Sequence, residues 1–212
     1  VCVTVSMLCL LASPMIFHSY SQVMFVSYMP FLCMAFLGVD AYFEKKRCGL
    51  YIAGVFLMIM NSFYFSIGGM LSLAIYGMHR YFETKKFGLR TFLTDGIRFL
   101  MPMLSAVLLG GLLLVPAAMA LGGGRGGKES MSLASLLIPQ APIFRFVYTP
   151  YGMGLTTIAI TMLITSLTYR KTSERVLSYG CALVFAIPMF AYLLNGGLYI
   201  RDKVFIPFLP LI

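Results

Sequence analysis

The chain alternates between long apolar runs and short polar clusters, and its longest polar stretch, residues 122–152, divides it in two. A membrane crossing needs about 20 apolar residues, so each run is measured against that length. Residues 1–12 are too short and read as the end of a helix, broken at Ser13 and Pro14 and followed by a polar link through His18, Tyr20 and Gln22. Residues 23–39 make the next crossing, with Pro30 inside it; a proline kink is tolerated where neighbouring helices satisfy the freed carbonyl. A charged loop at 40–47 follows, then an apolar run at 48–78 and a second basic loop through Arg80, Lys85, Lys86, Arg90 and Arg98. The 48–78 run is too short for two full crossings at about 20 residues each. It reads as a hairpin of two short helices turning near Asn61 and Ser62, or as one long tilted helix.

Residues 96–121 give the clearest span, with Ala106 and Gly110 offering a small-xxx-small packing face. After the 122–152 stretch come a span at 153–169, a basic connector at 170–175, a span at 176–194 interrupted by Pro188, a loop at 195–203, and a further helix from Val204. The pattern predicts an all-α, polytopic transmembrane helical bundle with about six to eight membrane segments, some short or kinked.

Composition sharpens this. The 212 residues are 60% hydrophobic and 11% charged, with a mean hydropathy of +0.90. A soluble domain carries about 25% charged residues, so the partner is the lipid bilayer. The net charge of +9 does not imply nucleic acid, because the basic residues sit in clusters between apolar runs, the signature of cytoplasmic loops. The segments 40–47, 79–98 and 170–175 hold eleven of the sixteen Lys and Arg residues. The other side holds five: Arg125, Lys128, Arg145, Arg201 and Lys203. The positive-inside rule therefore places the 122–152 loop outside the cytoplasm, provided the short hairpin is real. We read residues 1–212, which open on Val1 and stop at Ile212 inside an apolar run, as one transmembrane domain from a longer membrane protein.

Little in the chain carries chemistry outright. Gly122, Gly127 and Lys128 fall one residue short of a phosphate-binding P-loop: Glu129 stands where a magnesium-binding hydroxyl belongs, and a membrane helix rather than a strand precedes it. The segment reads as a glycine linker, with Arg125 or Lys128 available to an anionic headgroup. Arg145 lies among Phe144, Phe146, Tyr148 and Tyr151. This is either an interfacial aromatic anchor or a rim where a guanidinium forks onto phosphate and a tyrosine face stacks on a sugar. Asp202, between Arg201 and Lys203, suits a carboxylate that binds or orients rather than one that donates a proton. His79 reads as solvated in a basic loop, His18 as interfacial, and Asn61 with Tyr64 as polar groups satisfying a helix turn. The five cysteines lack a CxxC spacing and read as packing residues. No Ser-His-Asp set, metal cluster, cofactor motif or paired-carboxylate site is present in the sequence.

The run from Asn61 through Gly68, Gly69, Tyr76 and Arg80, the earlier Met29, Pro30, Gly38 and Asp40, and the later Pro150, Tyr151, Gly152, Asn195 and Gly196 together resemble the bacterial YfhO-family membrane proteins. That resemblance implies a multi-pass glycosyltransferase of the GT-C architecture in the bacterial plasma membrane. It would move a sugar from a polyprenyl-phosphate carrier to a cell-envelope polymer such as a teichoic acid on the outer face. A polyprenyl-sugar synthase and a flippase would supply the donor. The catalytic carboxylate of that class belongs to a large outer loop, expected upstream of this chain. Arg125, Arg145, Tyr151, Arg201 and Asp202 are left as candidate substrate contacts. A transporter or flippase of lipid-linked precursors, using kinks at Pro30, Pro102 and Pro188, is the competing expectation, and a membrane scaffold the third.

Overall fold

A computed structural model of the protein describes residues 2–85, 87–122, 133–139, 154, 161, 164–168, 171–197, 200 and 202–212. Every regular element among them is helical. Helix α1 (Cys2–Leu10) gives way to α2 (Ser13–Ser21), whose first turn holds Pro14, where the missing N–H costs nothing. A short 3-10 turn (Val23–Phe25) leads into α3 (Met29–Lys45). Pro30 lies within the Val23–Lys45 candidate span but in the first turn of α3, so it starts that helix instead of kinking it. Helices α4 (Gly49–Asn61), α5 (Phe63–Thr84), α6 (Leu89–Leu109) and α7 (Gly111–Gly122) follow, then the short α8 (Leu133–Leu137). Helix α9 (Thr172–Ala186) is bent by 80° from α10 (Pro188–Leu194), and a 3-10 helix runs over Asp202–Leu211.

Helix directions follow from residues that meet. Gly38 of α3 lies against the Tyr51 backbone of α4, Ala35 against Gly54, and Ser27 bonds Asn61, so α3 and α4 are antiparallel. Tyr28 stacks on Phe65, Leu32 lies beside Gly69, and Asp40 bonds Tyr76, so α5 runs parallel to α3. Tyr81 meets Phe92, Gly77 meets Phe99, and Gly110 meets Ile59, which turns α6 back alongside α4. His79 contacts the Ser173 carbonyl and Ile75 lies against Gly180, so α9 is antiparallel to α5. Consecutive helices from α3 to α6 thus reverse at each junction. The 48–78 run is a hairpin broken at Ser62, whose extended backbone (φ −151°, ψ 92°) interrupts the helix.

Buried positions follow helical spacing. On α4 they are Tyr51, Gly54, Val55, Met58 and Ile59; on α6 they are Phe99, Pro102, Met103 and Ala106, each set forming one face. The opposite side of α6 exposes Leu93, Ile97, Leu100, Leu104 and Leu108 as a continuous apolar stripe, a surface suited to lipid. Two segments are long and apolar enough to cross a membrane, Val23–Lys45 and Leu89–Leu109, and the bent pair α9–α10 makes a third if taken as one span.

Several expectations are revised. The 96–121 span begins earlier, at Leu89, and breaks at the Gly110–Gly111 pair, where two weak helix formers meet. Ala106 is fully buried, and a side chain at Gly110 would meet Ile59, as the small-xxx-small pattern requires. Asp40, Arg80, Arg90 and Arg98 stand on helices rather than in loops. The segment after Val204 is a 3-10 helix containing Pro207 and Pro210, which cannot donate to an α-helical ladder. It is buried all round over Val204–Leu209 and fills the interior against Gly68 and Phe185. The 153–169 span lies mostly outside the described residues, as does all of the 122–152 stretch except Gly122 and residues 133–139.

Candidate functional site

The helix directions give the bundle two ends of different chemistry. The Tyr64 end is built by chain breaks. Ser62 places Asn61 on the last turn of α4 and Tyr64 on the first turn of α5. Gly196 and Gly197, at φ +70° and +74°, turn the chain after α10 and leave Asn195 buried. The Tyr64 hydroxyl donates to Asn195 Oδ1, and Asn195 Nδ2 donates to the Ala191 carbonyl at 2.9 Å. The Ser27 hydroxyl donates to Asn61 Oδ1 at 2.6 Å. Lys203 Nζ lies 5.1 Å from the Tyr64 ring centre and 5.3 Å from that of Phe25. Such cation–π contacts are worth about 0.5–2 kcal/mol, and they hold the ammonium against the aromatic face.

Asp202, half-buried, begins the 3-10 helix beside it. His18, read as interfacial, is wholly buried, with Phe17 and Phe25 edge-on at 5.2 and 4.8 Å; aromatic packing from the 3-10 turn encloses it. One cation, one carboxylate, two amides and a phenol therefore meet at one end of the bundle beside aromatic faces. Such a set can hydrogen-bond hydroxyl groups and neutralise an anion. Replacing Tyr64 with Phe removes the donor to Asn195 and is expected to cost about 1 kcal/mol, seen as a lower melting temperature in detergent with helix content unchanged.

The opposite end is organised by Arg80. Its Nη1 bonds Glu83 at 2.6 Å, its Nη2 bonds Glu44 at 3.1 Å, and its Nε stands 2.9 Å from Asp40 Oδ1, which also accepts the Tyr76 hydroxyl at 2.8 Å. On α5, Tyr76, Arg80 and Glu83 share one face. His79, read as solvated, instead stacks on Tyr76 and contacts the Ser173 carbonyl at 3.0 Å. This network joins α3, α5 and α9. No sequence signal could have found it, since Asp40 and Arg80 meet only because α3 and α5 lie in parallel register.

Of the predicted site residues, Asp202 lies at the Tyr64 end; Arg125, Arg145, Tyr151 and Arg201 lie outside the described residues. Lys203, Asn195 and Ser27 join the site through tertiary contact; Asn195 was visible only as a loop residue and Ser27 not at all. Among the described residues no group of three His, Cys, Asp or Glu side chains could hold a metal ion. Cys9, Cys33, Cys48 and Cys181 are free thiols. No known protein family, curated protein or solved structure matches the chain.

Proposed function

We propose that this chain is a multi-pass part of a bacterial plasma-membrane glycosyltransferase, similar to the YfhO family and of GT-C-like architecture. It would take a sugar from a polyprenyl-phosphate carrier and pass it to a cell-envelope polymer. Short helices such as α4 would lie in the membrane with the longer ones, giving about six to eight membrane segments. The observation that carries the reading is the gathering of Ser27, Asn61, Tyr64, Asn195, Asp202 and Lys203 at the end opposite the basic one. With the basic end facing the cytoplasm, as the positive-inside rule requires, this polar cluster faces outward, the side on which a flipped lipid-linked sugar is presented.

Transfer from a lipid phosphate needs a carboxylate to activate the acceptor hydroxyl and cations to stabilise the leaving phosphate. Lys203 supplies a cation, to which Arg125, Arg145 and Arg201 would add others. Asp202 orients the sugar or acceptor through its hydroxyls, and Tyr151 offers a stacking face. On this reading the activating carboxylate would come from a large outer loop, as the resemblance implies.

A transporter of lipid-linked precursors is the second reading, favoured by the 80° bend at Pro188 and the helix breaks at Ser62 and Gly110. The longer protein, reconstituted in vesicles with a polyprenyl-phosphate sugar and an acceptor polymer, separates the two. Glycosyl transfer yields labelled polymer, whereas transport moves labelled lipid across the vesicle without product. On the transferase reading, Asp202→Asn and Lys203→Gln each lower polymer labelling by about tenfold or more at unchanged protein level. Full labelling in both variants removes this site from the reaction.

A further inference from the structure

We infer that the Arg80 end carries a built site for one anionic phospholipid, an assignment that depends on the membrane setting and not on sugar transfer. A cavity of about 410 Å³ opens between the C-terminal turns of α3 and α5 and the N-terminal half of α6. It lies on the side of α5 formed by Gly77, Tyr81 and Lys85, one helical step round from the face that carries Tyr76, Arg80 and Glu83. The acidic cluster around Arg80 therefore belongs to a neighbouring face. Phe99 closes the floor, set tightly against Gly77, with Tyr42 and Phe43 around it.

The rim is polar. Lys85 Nζ and Asp95 Oδ2 pair at 2.5 Å and neutralise each other. Lys46, at the left-handed end of α3 (φ 55°), lies 5.5 Å over the Tyr42 ring and pairs with no carboxylate among the described residues. Tyr81 lines the cavity and is 4% exposed, and its hydroxyl has no hydrogen-bond partner among the described residues. That hydroxyl lies below the surface a water molecule can reach, so Tyr81 gives the cavity its ring, over which Lys85 Nζ stands at 5.9 Å. Phe92 lines this mouth, with Phe82 and Phe87 packed against it.

The site continues along the bundle. A second cavity of about 350 Å³, almost wholly apolar, lies farther down α6 and shares Ile97 and Leu100 with the first. The lining on α6 begins at Phe92, and past Asp95 it runs from Gly96 to Val107, twelve residues with a rise of about 16 Å at 1.5 Å per residue. One leaflet of the hydrocarbon core is about 15 Å deep, so the apolar track matches the depth of a single acyl chain. The phosphodiester sits at Lys46, and the chain lies over Phe99, Ile97 and Leu100 toward Val107.

The test uses the purified protein in nanodiscs, titrated with phosphatidylglycerol or phosphatidylcholine and read by native mass spectrometry. The site predicts retention of one phosphatidylglycerol, at least fivefold over phosphatidylcholine. Lys46→Gln weakens retention several-fold. Gly96→Leu fills the cavity mouth, where an added Cβ meets nothing within 4 Å, and abolishes retention while leaving the melting temperature of the lipid-free protein intact. Equal retention of both lipids, or full retention in Gly96→Leu, overturns the assignment. Displacement by a polyprenyl phosphate at lower concentration than phosphatidylglycerol itself also overturns it, since the site would then take the carrier lipid.

Discussion

Replacing Gly38 with Leu is expected to unfold or fully destabilise the bundle, at a cost of about 3 kcal/mol or more. A Cβ built at Gly38 would stand 2.4 Å from the Tyr51 nitrogen and 2.5 Å from its Cα, and one at Gly54 would stand 2.6 Å from the Ala35 nitrogen. The obstacle is backbone in both cases, so no rotamer change relieves it and the two helices must separate. In a bilayer, lipid tails are as apolar as side chains, so association depends on close packing rather than on escape from water; lost contact between α3 and α4 is then not recovered elsewhere. Tyr51, fully buried and stacked 5.3 Å from Phe99, would carry the disturbance into α6. Melting in detergent checks this, with Gly96→Ala as the control: an added Cβ there meets nothing within 4 Å, and the expected change is within about 0.5 kcal/mol.

Arg80→Met is expected to cost about 3 kcal/mol, the second large effect. The side chain is 17% exposed and serves three carboxylates at once. Removing it leaves Asp40, Glu44 and Glu83 grouped without their cation, and like charges then repel across α3 and α5. Arg80→Lys recovers only part of the loss, because a single ammonium cannot fork toward three acceptors as a planar guanidinium does. Adding Asp40→Asn to Arg80→Met should restore some stability, giving a coupling of about 1–2 kcal/mol in a double-mutant cycle. Strict additivity of the two changes would show that the ion pair contributes nothing.

The parts of this architecture legible in the sequence are those written in local pattern. Run length against bilayer thickness leaves a hairpin turning near Asn61 and Ser62 or one long tilted helix, and the break at Ser62 decides for the hairpin; Ala106 with Gly110 marks a packing face. The basic clusters named one end of the bundle before any contact was known, since Lys45, Lys46, Arg47, Lys85 and Arg90 all fall at the Arg80 end. What escaped depends on register. Asp40 reads as a loop residue, whereas α3 continues through it to Lys45 and α5 brings Arg80 against it. His18 reads as interfacial and His79 as solvated because their covers, Phe25 and Ser173, come from other elements. The 3-10 helix at Asp202–Leu211 reads as α-helical by hydropathy, and only Pro207 and Pro210 mark the difference. At the Tyr64 end, Asp202 was identifiable from its flanking charges, whereas Asn195 and Ser27 enter through tertiary hydrogen bonds.

We propose that the bundle crosses the membrane with its Arg80 end inside and its Tyr64 end outside. Single cysteines at Gln22, Ser130 and Arg47, introduced with the native cysteines replaced, test it in intact cells with a membrane-impermeant maleimide. Gln22 and Arg47 are both exposed, at opposite ends of α3, and Ser130 belongs to the stretch that charge counting places outside. Labelling at Gln22→Cys and Ser130→Cys in intact cells, with Arg47→Cys labelled only after permeabilisation, is the predicted result. Labelling of Arg47→Cys in intact cells, or of all three from the same side, contradicts it.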